Sequence, residues 1–267
     1  MASIVEISIL RKGALEAAIR VVRVSKTFVG ADEVRTLDDV TFDVGRGEFV
    51  SILGPSGCGK STLLRIVAGL IMPDAGGTVE VLGHSQTAPS NDVGVVFQTH
   101  NLLPWLTLEA NIRLAAEVQG IAAAEISERV EAMLPVLKLE SFRKAYPHQL
   151  SGGMRQRTAL GQALVRQPQV LLLDEPFAAL DALTRDQLNV ELLRLWQEIR
   201  KTVILVTHSI AEAVFLADRV LVMSDRPGRM MEDLRIELPR PRDPHSTKGR
   251  PEFSRYVLHL GALMGIA

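Results

Sequence analysis

Lys60 and Ser61 close the stretch Gly54-Pro55-Ser56-Gly57-Cys58-Gly59-Lys60-Ser61-Thr62, whose residue types and spacing suit phosphate binding. An apolar run, Phe49 to Leu53, leads into it, and Leu63, Leu64, Val67 and Leu70 follow at helical spacing. Glycines let the backbone curl so that successive N–H groups face phosphate oxygens, and the helix N-terminus adds partial positive charge. Lys60 would then reach the β- and γ-phosphates, and Ser61 would ligate Mg²⁺. An ordinary glycine-rich turn before a helix is the alternative. The pattern arises by chance in roughly one per cent of chains this long, and the strand and helix around it lower that further. The stretch points to nucleotide binding without naming the nucleotide.

A second group of residues could act on what that loop holds. Val170-Leu171-Leu172-Leu173-Asp174-Glu175 reads as a buried strand ending in two carboxylates. Asp174 can hold Mg²⁺ directly or through water, and Glu175 can align an attacking water at the γ-phosphate. Two solvated loop charges are the weaker reading after such a strand. Gln98 ends the apolar stretch Asp92 to Phe97, where α/β folds place ligand contacts, although a plain strand-end hydrogen bond fits too. His208 tops the strand Thr202 to Val206; a single histidine is usually structural. Leu150-Ser151-Gly152-Gly153 opens a helix running to about Val165, either a second anion site or a cap with a flexible turn. Cys58, at a helix start, is expected to be a thiol of lowered pKa that alkylation would reach and bound nucleotide would protect, or else a small loop filler. Phe28 could stack on an adenine ring, but from the residues alone a place in a small β core is preferred.

The elements that must position these groups follow from pattern and composition. The chain has 267 residues, 47% hydrophobic and 23% charged, enough for one large or two small domains with a core. A net charge of −1 without a basic tract argues against a nucleic-acid groove. One cysteine rules out an intramolecular disulfide framework. No apolar run approaches the roughly 18 residues of a membrane span, and the charged N-terminus lacks a signal-peptide core, so a soluble, cytoplasmic chain is expected. Residues 1–17 read as a variable lead-in. Ile19 to Val24 and Leu37 to Val44 read as an antiparallel β subdomain, and Thr78 to Leu82 as a short strand. Helical patterns at Glu109 to Gln119 and Ile126 to Leu137 suggest a helical insert over about 99–165. The apolar cluster Leu102, Leu103, Pro104, Trp105 and Leu106 is either core of that insert or an exposed docking patch. After a long helix beyond Asp181 and a last core strand, Val220 to Val222, residues 226–251 read as a surface loop, with a short helix over Ser254 to Leu260. The fold class is α/β, with a mainly parallel sheet around the phosphate loop.

The motifs in their order resemble the ATP-binding subunit of an ABC transporter. They are the phosphate loop, Gln98, Leu150-Ser151-Gly152-Gly153, Asp174-Glu175, Ala179-Leu180-Asp181 and His208, over about Ala18 to Gly228. Thr207 to Ala213, Arg219 to Arg229 and Arg250 to Phe253 further resemble importers of the nitrate, sulfonate and taurine group. The resemblance implies a phosphate-loop nucleoside-triphosphatase core at 18–236 and a C-terminal extension at 237–267. It implies a head-to-tail homodimer in which ATP lies between one copy's phosphate loop and the other's Ser151, Gly152 and Gly153. Lys60, Ser61, Gln98 and Asp174 would hold ATP and Mg²⁺, Glu175 would be the general base, and His208 would contact the γ-phosphate. Asp181 would join the nucleotide site, and Phe28 falls where the family stacks an aromatic residue on adenine. Gln98 and the apolar cluster would couple to permease subunits at the cytoplasmic face of the membrane, served by an extracytoplasmic substrate-binding protein. No C-terminal regulatory domain like that of sugar importers is expected. An ABC-type ATPase in a non-transport complex, on DNA or ribosomes, is the alternative, but this chain lacks the doubled module or coiled-coil insert typical of those relatives. Three departures stand out: Met154 for a frequent Gln, Ala178 for Ser, and Gly161-Gln162 for Ala-Arg. The last is expected to affect turnover more than fold: glycine in a helix costs about 1 kcal/mol, and loss of the Arg would weaken contacts near the dimer interface.

Overall fold

An unbroken apolar run can be a strand only where both of its faces are covered. The computed structural model describes residues 17–30, 32–178 and 180–266, so the lead-in at 1–16 lies outside the described residues. The chain begins with β1 (Ala17–Val29), β2 (Glu33–Gly45), β3 (Phe49–Leu53), α1 (Lys60–Val67), β4 (Thr78–Val81), β5 (His84–Ser85) and β6 (Val93–Val96). Three helices follow, α2 (Leu108–Glu117), α3 (Ala123–Val136) and α4 (Gly152–Leu164). The chain then returns through β7 (Val170–Asp174), α5 (Ala182–Ile199), β8 (Thr202–Thr207), α6 (Ile210–Leu216) and β9 (Arg219–Met223). It closes with β10 (Met230–Arg235), α7 (Pro244–Lys248) and α8 (Pro251–Leu263).

Two sheets result. Strands β2-β1-β4-β5 form an antiparallel sheet, and β10-β9-β3-β8-β7-β6 form a second that is parallel except for β10. Side chains alternate across the central strands. Val50, Ile52, Leu172, Ile204 and Val206 pack on one side with Leu63, Leu64 and Ile66 of α1 and with the antiparallel sheet. Phe49, Leu53, Leu171, Leu173, Val203 and Leu205 pack on the other with Leu188 and Leu192 of α5 and Phe215 of α6. That double cover is why these strands carry no polar alternation.

Helices α2 and α3 build a separate apolar cluster, with Leu108, Ile112, Ile126, Val130 and Leu134 at helical spacing. Buried Asn111 shapes the loop before α2. Its Oδ1 accepts from Leu103 N at 2.8 Å, and its Nδ2 donates to the Leu103, Leu106 and Thr107 carbonyls at 3.0–3.1 Å. Gly161 lets α4 approach this unit closely. A Cβ there would lie 2.9 Å from Ile112 Cδ1 and 3.1 Å from Leu137 Cδ1. Gln162 Nε2 donates to Asn111 O at 3.1 Å, tying the same two helices. The Gly-Gln departure is thus a packing solution for this insert.

The reading of 226–251 as a surface loop is corrected. β10 pairs antiparallel with β9, Met230 opposite Met223 and Leu234 opposite Val220. Arginines that looked solvated are instead bound to the end of α6. Arg242 is buried and donates to the Val214, Phe215 and Ala217 carbonyls, and Arg240 donates to Leu216 O and Asp218. Cations suit a helix C-terminus, where carbonyls are left without intrahelical partners. The terminal helix also runs longer than Ser254 to Leu260, starting at Pro251 and burying Phe253 and Leu260 in the core beside α6.

Candidate functional site: a phosphate-binding cleft

Register decides where the chemistry gathers. Leu53 at the end of β3 pairs with Thr207 of β8, and Asp174 at the end of β7 pairs with Val206, so three strands finish level. The phosphate loop, the acid pair and His208 follow those three ends directly. A cleft of about 480 Å³ opens there, lined by Ser56, Gly57, Gly59, Lys60, Ser61, Thr62, Gln98 and Glu175 among the predicted residues.

The loop folds as its glycines permit. Gly57 and Gly59 take φ of 80° and 108°, a region that other residues enter at a cost. A Cβ on Gly59 would also lie 2.7 Å from Leu37 Cδ2. Lys60 is buried, its Nζ donating to Gly54 O and Pro55 O at 2.8 Å each and standing 3.9 Å from Glu175 Oε1. The ammonium is therefore fixed at the cleft wall by the loop it serves. Cys58 corrects an expectation. It is 1% exposed, tucked beneath the loop against Gly54, and burial pushes its thiol up by more than nearby Lys60 lowers it. Its contribution to the loop is shape and small volume, not a reactive sulfur.

Ser61 Oγ donates to Asp174 Oδ1 at 2.7 Å, joining residues 113 apart in sequence. Burial raises the Asp174 carboxyl, and this bond from Ser61 lowers it. The Ser61 hydroxyl, the Asp174 carboxylate bonded to it and the amide oxygen of Gln98, which lines the same cleft, are oxygen donors that could hold a hard cation such as Mg²⁺. Among the described residues no three His, Cys, Asp or Glu side chains gather to hold a metal without help. Glu175 has φ of 44°, and its Oε2 lies 3.0 Å from His208 Nδ1. A carboxylate can only accept, so Nδ1 carries the shared hydrogen.

Other predicted residues lie outside the cleft lining. Phe28 is 41% exposed near the end of β1, with Lys26 Nζ 5.7 Å from its ring centre. This surface position departs from the preference for a place in the β core. Ser151 is exposed at the cap of α4, its Oγ accepting from Met154 N at 3.3 Å. Gly152 and Gly153 pack α4 against the start of α5, where added Cβ atoms would meet Leu180 at 2.9 Å and Thr184 at 3.3 Å. Asp181 caps α5, accepting from Thr184 N at 3.0 Å, and that backbone bond lowers its carboxyl pKa. Ala179 lies outside the described residues. Two cleft residues, Thr36 and Arg226, were missed by sequence reasoning. Nothing local marks Thr36. Arg226 lay inside the noticed stretch Arg219 to Arg229, but its approach to a loop 169 positions away is a tertiary fact.

Comparison with known proteins agrees with this geometry. A family model described as ABC transporter matches residues 37–178. An aliphatic sulfonates import ATP-binding protein of Bacillus cereus is 45% identical over 80% of this chain and 83% of its own length. A nitrate import ATP-binding protein of Synechocystis is 39% identical over 92% and 94%. A solved dimer of an ATP-binding cassette in a post-hydrolysis state, bound to ADP and Pi, superposes with a TM-score of 0.72 at 32% identity, covering 83% of this chain and all of that one. A cleft built from a phosphate loop, an acid pair and a strand-end histidine, in a chain with such relatives, leads to one conclusion: the chain belongs to the ABC transporter family and is one of its ATP-binding, ATP-hydrolysing subunits.

Proposed function

We propose that this ATPase powers an importer of a small anionic solute of the nitrate, sulfonate or taurine kind, acting as a head-to-tail homodimer beneath separate permease subunits. The observation that carries the site assignment is the level ending of β3, β8 and β7, which brings Lys60, Ser61 and Glu175 to one cleft, with Asp174 bonded to Ser61 and His208 beside Glu175. Lys60 and the N–H groups of residues 54–62 bind the phosphates. Ser61, Asp174 and Gln98 would hold Mg²⁺, which would supply positive charge to the bound phosphates. Glu175 orients the attacking water and takes up its proton, and His208 holds Glu175 in place while contacting the γ-phosphate. Phe28 stacks on the base.

Ser151, Gly152 and Gly153 serve the neighbouring copy. Their helix N-terminus, exposed at Ser151, attracts the same phosphates from the opposite side, so ATP favours the closed pair. Loss of phosphate removes that attraction, and opening of the pair resets the permease. Among the described residues no helix is long and apolar enough to cross a membrane. In this reading the membrane step belongs to the permease subunits, with this subunit peripheral at the cytoplasmic face. Residues 18–236 form the ATPase domain in this reading, the helical unit at 99–165 is its coupling surface, and 237–267 extend the core.

Glu175→Gln tests the assignment. It is expected to lower turnover by about a thousandfold while ATP-stabilised dimers accumulate, as seen by size-exclusion chromatography with light scattering. Normal hydrolysis by a folded variant would remove Glu175 from the role. Growth on candidate nitrogen and sulfur sources after deletion of the gene identifies the solute class.

A further inference from the structure

Arg226 sits on the turn between β9 and β10 and lines the same cleft as Lys60, Ser61 and Glu175. Its Nε donates to Gly57 O at 3.1 Å, and its guanidinium lies 3.2 Å from where a Cβ on Gly57 would stand. The side chain is exposed and forms no ion pair among the described residues. The turn that carries it is firmly held. Gly228 N donates to Thr36 O at 2.9 Å, Asp38 N donates to Gly228 O at 3.0 Å, and Ser224 N donates to Arg229 O at 3.0 Å. Gly228 also presses against the phosphate loop, since a Cβ there would lie 2.2 Å from Cys58 O. Arg229 Nε anchors the far side on Asp38 Oδ2 at 2.6 Å.

We propose that Arg226 is a second cationic contact for the phosphates of bound ATP, presented by this turn. The reading rests on the cleft being the nucleotide site. A guanidinium carries five N–H donors in a fixed fork, and Gly57 takes one of them. Arg226 lines a cleft whose other cation, Lys60, is already shared with two carbonyls and stands near Glu175. Phosphate oxygens are the acceptors such a fork fits best. The hydrogen bonds of the turn hold its backbone in place, so only the side chain is left to order on binding. The single bond to Gly57 positions the arm without consuming its charge.

The experiment separates a phosphate contact from a mere brace of the loop. MgATP binding is measured by calorimetry for wild type, Arg226→Gln, Arg226→Lys and Lys60→Ala, at concentrations too low for pairing. Glutamine can still donate to Gly57 O but carries no charge; lysine keeps the charge. Arg226→Gln is expected to weaken ATP binding by about tenfold, with Arg226→Lys retaining most of the affinity and the difference shrinking at high salt. Wild-type affinity in Arg226→Gln, with unchanged thermal stability, overturns the proposal. So does an equal loss in both Arg226 variants that salt does not alter, which marks a brace. Lys60→Ala must itself lose binding; if it does not, the failure lies with the cleft assignment, not with Arg226.

Discussion

Glu175 is held at φ of 44°, a backbone state that costs a residue bearing a Cβ about 1 kcal/mol. Its amide donates to Val206 O at 3.0 Å and its carboxylate meets His208, so β8 and the residue just after it stabilise the turn that aims it. A strained residue flanked by buried Asp174 and loop-bound Lys60 is the pattern expected where geometry serves chemistry. Cys58 shows the opposite case. Sealed under the loop with its thiol raised by burial, it is expected to react slowly with iodoacetamide. Exposure needs local opening of roughly 3 kcal/mol, so native labelling should run about a hundredfold slower than in the urea-unfolded chain. Mass spectrometry of timed samples reads this directly, and labelling at the unfolded rate would contradict the packing.

At the scale of elements, the turn between β9 and β10 and the phosphate loop act as one unit. The contact between Gly228 and Cys58 O leaves no room for a side chain. Gly228→Ala is expected to push the turn off the loop, lowering stability by about 1–3 kcal/mol in urea titration and weakening ATP binding with it. An unchanged midpoint together with unchanged affinity would show that the two elements are independent. Helices α4 and α5 form another pair. Gly152 and Gly153 let the capped start of α4 lie across Leu180 and Thr184, beside the Asp181 cap. Movement at one of these two loops must therefore be felt by the other, which suits loops that would both face a second copy.

Across the whole molecule, the apolar cluster between β6 and α2 resolves into a half-buried base at Leu102, Leu103 and Leu106 and an exposed tip at Pro104 and Trp105. Asn111 grips the backbone at Leu103 and Leu106, leaving Trp105 70% exposed. Trp105→Asp should change folding stability by less than about 0.5 kcal/mol, as for an exposed site, yet abolish co-purification with the permease subunits. Intact assembly in that variant would move the docking surface elsewhere. The phosphate loop, the acid pair, the capped α4 and the two-faced strands were legible in the sequence. Each is written in residues within a turn or a strand of one another, where spacing controls backbone shape. The pairing of β9 with β10, the arginines bound to α6, the sealed Cys58 and the arrival of Thr36 and Arg226 at the cleft were not legible there. Those depend on which distant segments become neighbours. Only the packed sheet, by setting the registers of β3, β7, β8 and β9, decides which groups meet and which are shut away from water.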